Sequence, residues 1–472
     1  MVELDLFALP RGTVTAPAGC GKTQLIVDTL RDRPSPKPVL VLTHTNAGVN
    51  ALRNRLGREG ISSSSYRVGT IDGFAMRLCG QFPLRSGVTA QTLQLSQPKT
   101  DYPQIRLAAY QAIDGGHLDD PLGASFARLI VDEYQDCSIP QHRIIDSMAR
   151  VLQTSVLGDP LQAVFGFGGN ELVDWTHDVL ACFPAVGELG TPWRWHNAGT
   201  PALGQWLLEA RAELLACRPI DLRTGPPEVV WIPLNVTNAA QQRLKAAQTT
   251  SPIQEGSVVV IGDSRNPNGQ RLMASQTPGA IAVEAVDIRD FVDFATAFDP
   301  AASNAVTLLV NFAGSVMTNI GATQLIQRVD TLRRKAARTP PTPVEHVVLA
   351  FAENPTLETA AQALTQLREG AHVRLYRPDI YRSAIVAMQA ASGGQITFHL
   401  AALREREKYR HLGRSLPRRA VGSTLLLKGL EADVSVLLHP EVMDARHLYV
   451  ALTRGARQVV VCSETPILVP VN

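Results

Sequence analysis

Short runs of consecutive apolar residues alternate along the chain with segments of helical periodicity, the pattern of an α/β fold whose parallel strands are buried on both faces. Val39-Leu40-Val41-Leu42 reads as such a strand, as do Leu129-Ile130-Val131 and Ser155-Val156-Leu157, the last two running straight into acidic residues. A shorter strand at Thr13-Val14-Thr15 leads through a Gly-bearing loop into a helix from about Thr23 to Leu30. In open parallel sheets ligands sit beyond the carboxyl ends of the strands, so these endings point to one crevice. Residues 80–125, with Pro83, Pro98, Pro103 and Pro121, read as an insertion. A second α/β region opens at Gly256-Ser257-Val258-Val259-Val260-Ile261-Gly262-Asp263, resumes near Gly422 and ends with the strand Gln458–Val461. Between them, 297–417 reads as helical, with amphipathic runs at 357–369 and 380–390 and a Pro break at 340–344.

A length of 472 residues suits about three domains, and 45% hydrophobic against 19% charged residues is enough apolar material to exclude wholesale disorder. A net charge of +2 neither requires nor excludes a nucleic-acid partner, because a binding strip need only be locally basic. Cys20, Cys79, Cys137, Cys182, Cys217 and Cys462 lie far apart with no C-x-x-C pair, which argues against a zinc site or a disulfide framework and for a reducing compartment. No run of 18 apolar residues and no signal-type N-terminus is found, so the expectation is a soluble, cytoplasmic chain with no membrane partner.

Chemistry enters with Ala16-Pro17-Ala18-Gly19-Cys20-Gly21-Lys22-Thr23, which follows a strand and opens a helix. A phosphate-binding loop needs small residues so that backbone N–H groups can wrap an anion, a Lys for the β/γ-phosphates and a hydroxyl for Mg2+. Gly19, Gly21, Lys22 and Thr23 supply these parts, although Ala16 stands where the first Gly is usual. Leu129-Ile130-Val131-Asp132-Glu133-Tyr134-Gln135-Asp136 then delivers an Asp and a Glu at a strand end. There Asp132 suits Mg2+ capture and Glu133 the placement of an attacking water.

Together these segments resemble the UvrD/Rep/PcrA group of superfamily 1 helicases, and further motifs follow in that family's order. Leu42-Thr43-His44-Thr45-Asn46 is similar to motif Ia, Gly69-Thr70-Ile71-Asp72-Gly73-Phe74-Ala75 to the segment after it, and Gly158-Asp159-Pro160-Leu161-Gln162-Ala163-Val164-Phe165-Gly166-Phe167 to motif III. Pro192-Trp193-Arg194 resembles motif IV, Lys428-Gly429-Leu430-Glu431 the core of motif V, and Leu448-Tyr449-Val450-Ala451-Leu452-Thr453-Arg454 motif VI.

The resemblance implies two RecA-like motor domains, at 1–200 (insertion about 80–125) and at 201–296 with 418–472, and a helical insertion at 297–417. It assigns ATP contacts to Ala18, Gly19, Cys20, Gly21, Lys22, Thr23 and Gln24, with Glu431 on the ribose and Mg2+ on Thr23 and Asp132. Catalysis falls to Lys22, Glu133, Gln162, Arg194 and Arg454, the last as a finger that meets the γ-phosphate. His44, Asn46, Thr70, Phe165 and Phe167 would contact nucleic acid, the aromatic rings by stacking on bases. No counterpart of the family's adenine-reading segment precedes the loop, which leaves room for other NTPs. Arg404, Arg406, Lys408, Arg410, Arg414, Arg418 and Arg419 form a basic run that fits either phosphate binding or a solvated helix face.

The leading expectation is an NTP-driven translocase or helicase moving 3′→5′ on single-stranded or tailed double-stranded DNA, the polarity implied by resemblance alone. Two alternatives stay open. One is a nucleotide- and nucleic-acid-sensing subunit that regulates a partner nuclease, as in Gabija-type anti-phage systems. The other is an RNA helicase.

Overall fold

The computed structural model describes residues 4–32, 35–166, 171–411 and 417–471. Phe167, Gly168, Gly169 and Arg414 lie outside the described residues. The chain forms two compact units, Met1–Pro233 with Pro440–Asn472, and Leu234–His439. It is an α/β fold with two six-stranded sheets, as the sequence pattern predicts.

In the first unit, the strands β1 (Arg11–Thr15), β2 (Val39–Thr43), β3 (Tyr66–Thr70), β4 (Arg128–Val131), β5 (Thr154–Gly158) and β6 (Ala185–Glu188) order as β3-β2-β4-β5-β1-β6. Every pairing in this sheet is parallel. All residues of β2, β4 and β5 are buried, which is why Val39–Leu42 and Leu129–Val131 read as unbroken apolar runs rather than alternating ones. The unit also holds β7 (Ile220–Asp221) and β8 (Val229–Pro233).

In the second unit, β9 (Val258–Ile261), β10 (Ile281–Ala282), β11 (Arg419–Gly422) and β12 (Ala432–Leu437) run in the parallel order β10-β11-β9-β12. The chain then returns to the first unit with β13 (Gly455–Ser463), parallel to β8, and β14 (Ile467–Leu468), antiparallel to β7.

The segment 80–125 is helical, and two of its prolines mark helix entrances: Pro83 and Pro98 each begin a helix, where a missing N–H costs nothing, while Pro103 lies inside the helix Pro98–Asp114. The described part of the second insertion, 297–411, is helical too, with Leu357–Arg368 and Pro378–Ser392 matching the amphipathic runs. The predicted break at 340–344 is a helix start, where Thr342 and Glu345 form a reciprocal cap on Pro343–Glu353. An aromatic cluster holds these helices together. Phe294 stacks on Phe312 with centroids 4.0 Å apart, and Phe291, Phe298 and Phe398 pack around them edge-on or tilted.

One charged cluster is buried in this second unit. Arg377, with its side chain 3% exposed, makes a two-pronged contact with Glu284 at 2.5 and 2.9 Å and reaches Asp290 at 2.9 Å. Removing the cation would leave the Glu284 carboxylate buried against an apolar side chain. Arg377→Met should therefore cost about 3–5 kcal/mol of unfolding free energy in denaturant titrations. A cost below about 1 kcal/mol would show that the pair is not sealed from water.

Candidate nucleotide site

The carboxyl ends of β1 and β4 build the site. After Thr15 the chain turns through Ala16–Gly21, anchored where Ala16 N–H donates to Gly158 O at the end of β5 (2.8 Å), and then enters the helix Lys22–Asp32. Gly19 and Gly21 sit at φ +71° and +89°, a region closed to most L-residues, so the loop needs glycine at both points. The helix has no acidic residue in its first turn, leaving its N–H groups and the positive end of its dipole for an anion.

Lys22 is the first residue of that helix. Its ammonium lies 3.0 Å from Asp132 Oδ1 and 2.6 Å from Glu133 Oε1, with the side chain 12% exposed. Burial alone would depress the Lys22 pKa, but the two carboxylates outweigh it and hold the group above its ordinary value. Burial pushes the Asp132 carboxyl up, opposed by Lys22. Asp132 N–H donates to Leu42 O (2.8 Å), which fixes the strand end against β2. Glu133 adopts φ +55°, ψ +42°, a left-handed conformation that costs energy for a side chain of this size and turns its carboxylate back toward Lys22.

A nucleotide and Mg2+ fit this donor set. Asp132, and Thr23 next to Lys22 in the chain, offer hard oxygen ligands, and Mg2+ ordinarily completes its shell with phosphate oxygens and water. Among the described residues, no group of three or more His, Cys, Asp or Glu residues is placed to hold a metal ion.

Motif III is wired into the same cluster. Gln135 donates from Nε2 to Glu133 Oε2 (2.5 Å) and accepts the Asp159 N–H on Oε1 (3.1 Å). Gly158 allows this approach, since a Cβ there would fall 2.5 Å from Gln135 Oε1. Asp159 is fully buried, and its Oδ2 accepts from Gln162 Nε2 at 3.3 Å.

The helix Trp193–Ala198 lies along the loop. Arg194 N–H donates to Gly19 O (3.1 Å), and the Trp195 ring sits so close that a Cβ on Gly19 would be 2.6 Å from Cζ3. Arg194 Nη1 donates to Thr453 O (2.6 Å) and Trp195 Nε1 to Gly455 O (3.0 Å). Tyr449, on the helix Ala445–Leu452, accepts the Ala18 N–H on its hydroxyl (3.0 Å). Arg454 is 3% exposed and donates from Nε to Val450 O (3.0 Å), turned back onto the helix that precedes it.

The structure thus brings Lys22, Asp132, Glu133 and Gln162 into one connected cluster and places Ala18, Gly19 and Arg194 beside it. Gln24 points elsewhere, to Asp28 and Arg55 on the outer side of the loop helix. Glu431 is an exposed residue of the second unit. Among the nucleic-acid candidates, the His44 and Phe165 rings meet with centroids 5.3 Å apart, and Asn46 is exposed at the start of Asn46–Arg58. Thr70 caps the helix Ile71–Gln81 through Gly73 N–H. In the basic run, Arg406, Lys408 and Arg418 face Glu407, Glu405 and Glu255, the pattern of a solvated face. Gln135, Asp159, Tyr449 and Trp195 join the site without having been singled out one by one from the sequence.

Residues 7–168 match the AAA domain family model, about a third of the chain, spanning the loop, the acidic strand end and motif III. No curated protein matches the chain. Among solved structures it is similar to arterivirus nonstructural protein 10 (helicase) in complex with DNA, at 12% identity over 55% of this chain and 49% of that one, with a TM-score of 0.29. It is also similar to Pif1 helicase from Candida albicans, at 14% identity over 59% of this chain and 53% of that one, with a TM-score of 0.32. The chain spans about half the length of these two structures. No helix among the described residues is long and apolar enough to cross a membrane.

Cys20 lies in the loop, 3% exposed, and burial followed by the nearby Asp159 charge pushes its thiol up to about 12. The reactive species is the thiolate. Iodoacetamide at pH 8 should therefore alkylate the exposed Cys217 and leave Cys20 intact in peptide mass analysis of the native chain. Cys20 alkylation at a rate matching Cys217 would contradict this picture of the loop.

Proposed function

We propose that the chain is a superfamily 1, UvrD-type motor that hydrolyses ATP with Mg2+ to move 3′→5′ along single-stranded DNA. The observation that carries the reading is the Lys22 ammonium held between Asp132 and Glu133 at the mouth of a glycine-built anion loop. The AAA domain match over the same residues supports it.

A bound triphosphate offers Lys22 a stronger partner than the two carboxylates. With the ammonium turned to the β/γ-phosphates, Asp132 and Thr23 would hold Mg2+ and Glu133 would orient the attacking water. Mg2+ would supply charge neutralisation at the phosphates. Gln162, tied to Glu133 through Asp159 and Gln135, would report the γ-phosphate to Phe165, three residues further on, whose ring meets that of His44. Those rings offer a stacking face for a base. Arg194 and Arg454 supply the remaining positive charge, Arg454 after its guanidinium leaves the Val450 carbonyl.

Lys22→Ala should remove both nucleotide binding and turnover. Glu133→Gln should bind nucleotide normally while its kcat falls about 10²-fold or more, because only the water-orienting step is lost. Phosphate release and fluorescent-nucleotide titration read the two separately, and turnover at the wild-type rate in Glu133→Gln would overturn the assignment.

Base selectivity follows from the absent adenine-reading segment. GTP should support hydrolysis within about tenfold of ATP, the scale of one contact near 1.4 kcal/mol. Strict ATP dependence in competition assays would contradict this. Strand displacement on duplexes with a 3′ or a 5′ tail tests polarity, and stimulation by RNA in place of DNA would reassign the polymer.

A further inference from the structure

The helix Pro201–Leu215 buries Leu203, Leu207, Ala210 and Leu214 along one stripe, and Arg211 lies within that stripe at 8% exposure. A cation at such a position loses its hydration and needs a compensating partner. The partner is Asp159, fully buried, whose Oδ1 accepts from Arg211 Nε at 3.3 Å and Nη2 at 3.2 Å. Nη1 reaches Glu188 at 2.9 Å, on the more exposed side. Buried pairs of this kind are seldom more stabilising than a well-packed apolar replacement, so stability alone is a poor reason for placing one here.

The geometry of Asp159 gives a better reason. Oδ1 also accepts Leu161 N–H (3.2 Å), and Oδ2 accepts the Gln162 amide (3.3 Å). The Asp159 backbone N–H holds Gln135, which in turn holds Glu133. One carboxylate and its own peptide group therefore connect the γ-phosphate candidate to the water-orienting candidate. Arg211 is the guanidinium that fixes the rotation of that carboxylate.

We propose that Arg211 is a positioning residue for the hydrolysis step, setting Gln162 and Glu133 through Asp159. This rests on the hydrolase reading given above. Arg211 hydrogen-bonds to Asp159 and Glu188 and supplies no donor to the phosphates in the proposed function, so its loss should leave binding in place and slow the chemical step. Such a split is not what a purely structural residue produces.

The test compares the full wild-type chain with Arg211→Met, Arg211→Lys and the double variant Asp159→Asn with Arg211→Met. Basal phosphate release, fluorescent-nucleotide Kd and Tm are measured for each. Arg211→Met should bind nucleotide within about threefold of wild type and lose about tenfold or more in kcat. Arg211→Lys keeps the charge without the two-pronged geometry and should recover part of that loss. The double variant has no unpaired buried charge and should regain Tm. It should remain as slow as Arg211→Met, because a single amide oxygen cannot accept from Leu161 N–H and Gln162 in the places of two carboxylate oxygens.

Wild-type kcat in Arg211→Met or in the double variant overturns the proposal, as do parallel losses of binding and turnover. If Arg211→Met does not fold, the double variant decides, and a double variant that also fails to fold assigns the pair to structure and overturns it. A wild-type chain that hydrolyses no nucleotide overturns the hydrolase reading and this proposal together. Basal hydrolysis unaffected by any nucleic acid overturns only the motor reading, and the Arg211 comparison is then read on the basal rate.

Discussion

A cation between two carboxylates at the end of a parallel sheet is the constraint on which the candidate site depends. Lys22 opens a helix, Asp132 and Glu133 close a strand, and the two elements belong to non-adjacent strands of the sheet, β1 and β4, with β5 between them. The interaction stores a choice. In the proposed function, the ammonium satisfies the acidic pair until an anion of higher charge arrives, and both carboxylates would then become available for a metal and a water. Glu133 in a left-handed backbone conformation shows that the chain accepts local strain to make the contact.

Around that contact, close backbone approaches do the positioning. Gly158 lets Gln135 lean over the end of β5, and Gly19 lets Trp195 lie on the loop. Because Tyr449 takes the Ala18 N–H and Arg194 takes the Gly19 carbonyl, the loop is held from segments far along the sequence, all within one compact unit. The loop is thus continuous, through hydrogen bonds, with the helix Trp193–Ala198 and with the helix Ala445–Leu452 that precedes Arg454.

The strands were legible because full burial leaves an unbroken apolar run, as at Val39–Leu42 and Leu129–Val131, which form β2 and β4 with one residue added to each. The loop was legible because its chemistry is local: six consecutive positions must bend, wrap an anion and carry a Lys and a hydroxyl. The pairing of Asp159 with Arg211 was not, since the two are 52 positions apart and only Asp159 falls in a local motif. The signal that existed was an Arg at a core position of an amphipathic stripe, four residues after Leu207 and three before Leu214. Tyr449 was hidden more deeply, its partner Ala18 being 431 positions away. The prolines of 80–125 signalled an interruption correctly but not its helices, because Pro at a helix entrance and Pro in a loop look alike in sequence.

The central claim is that hydrolysis at Lys22, Asp132 and Glu133 is coupled to a nucleic-acid strand through Gln162. The most direct measurement is the steady-state rate of ATP hydrolysis by the full chain with and without saturating single-stranded DNA. The account predicts a rise of about tenfold or more, equivalent to about 1.4 kcal/mol of transition-state stabilisation supplied by the strand. Hydrolysis at one unchanging rate, with DNA, with RNA and with neither, would contradict it.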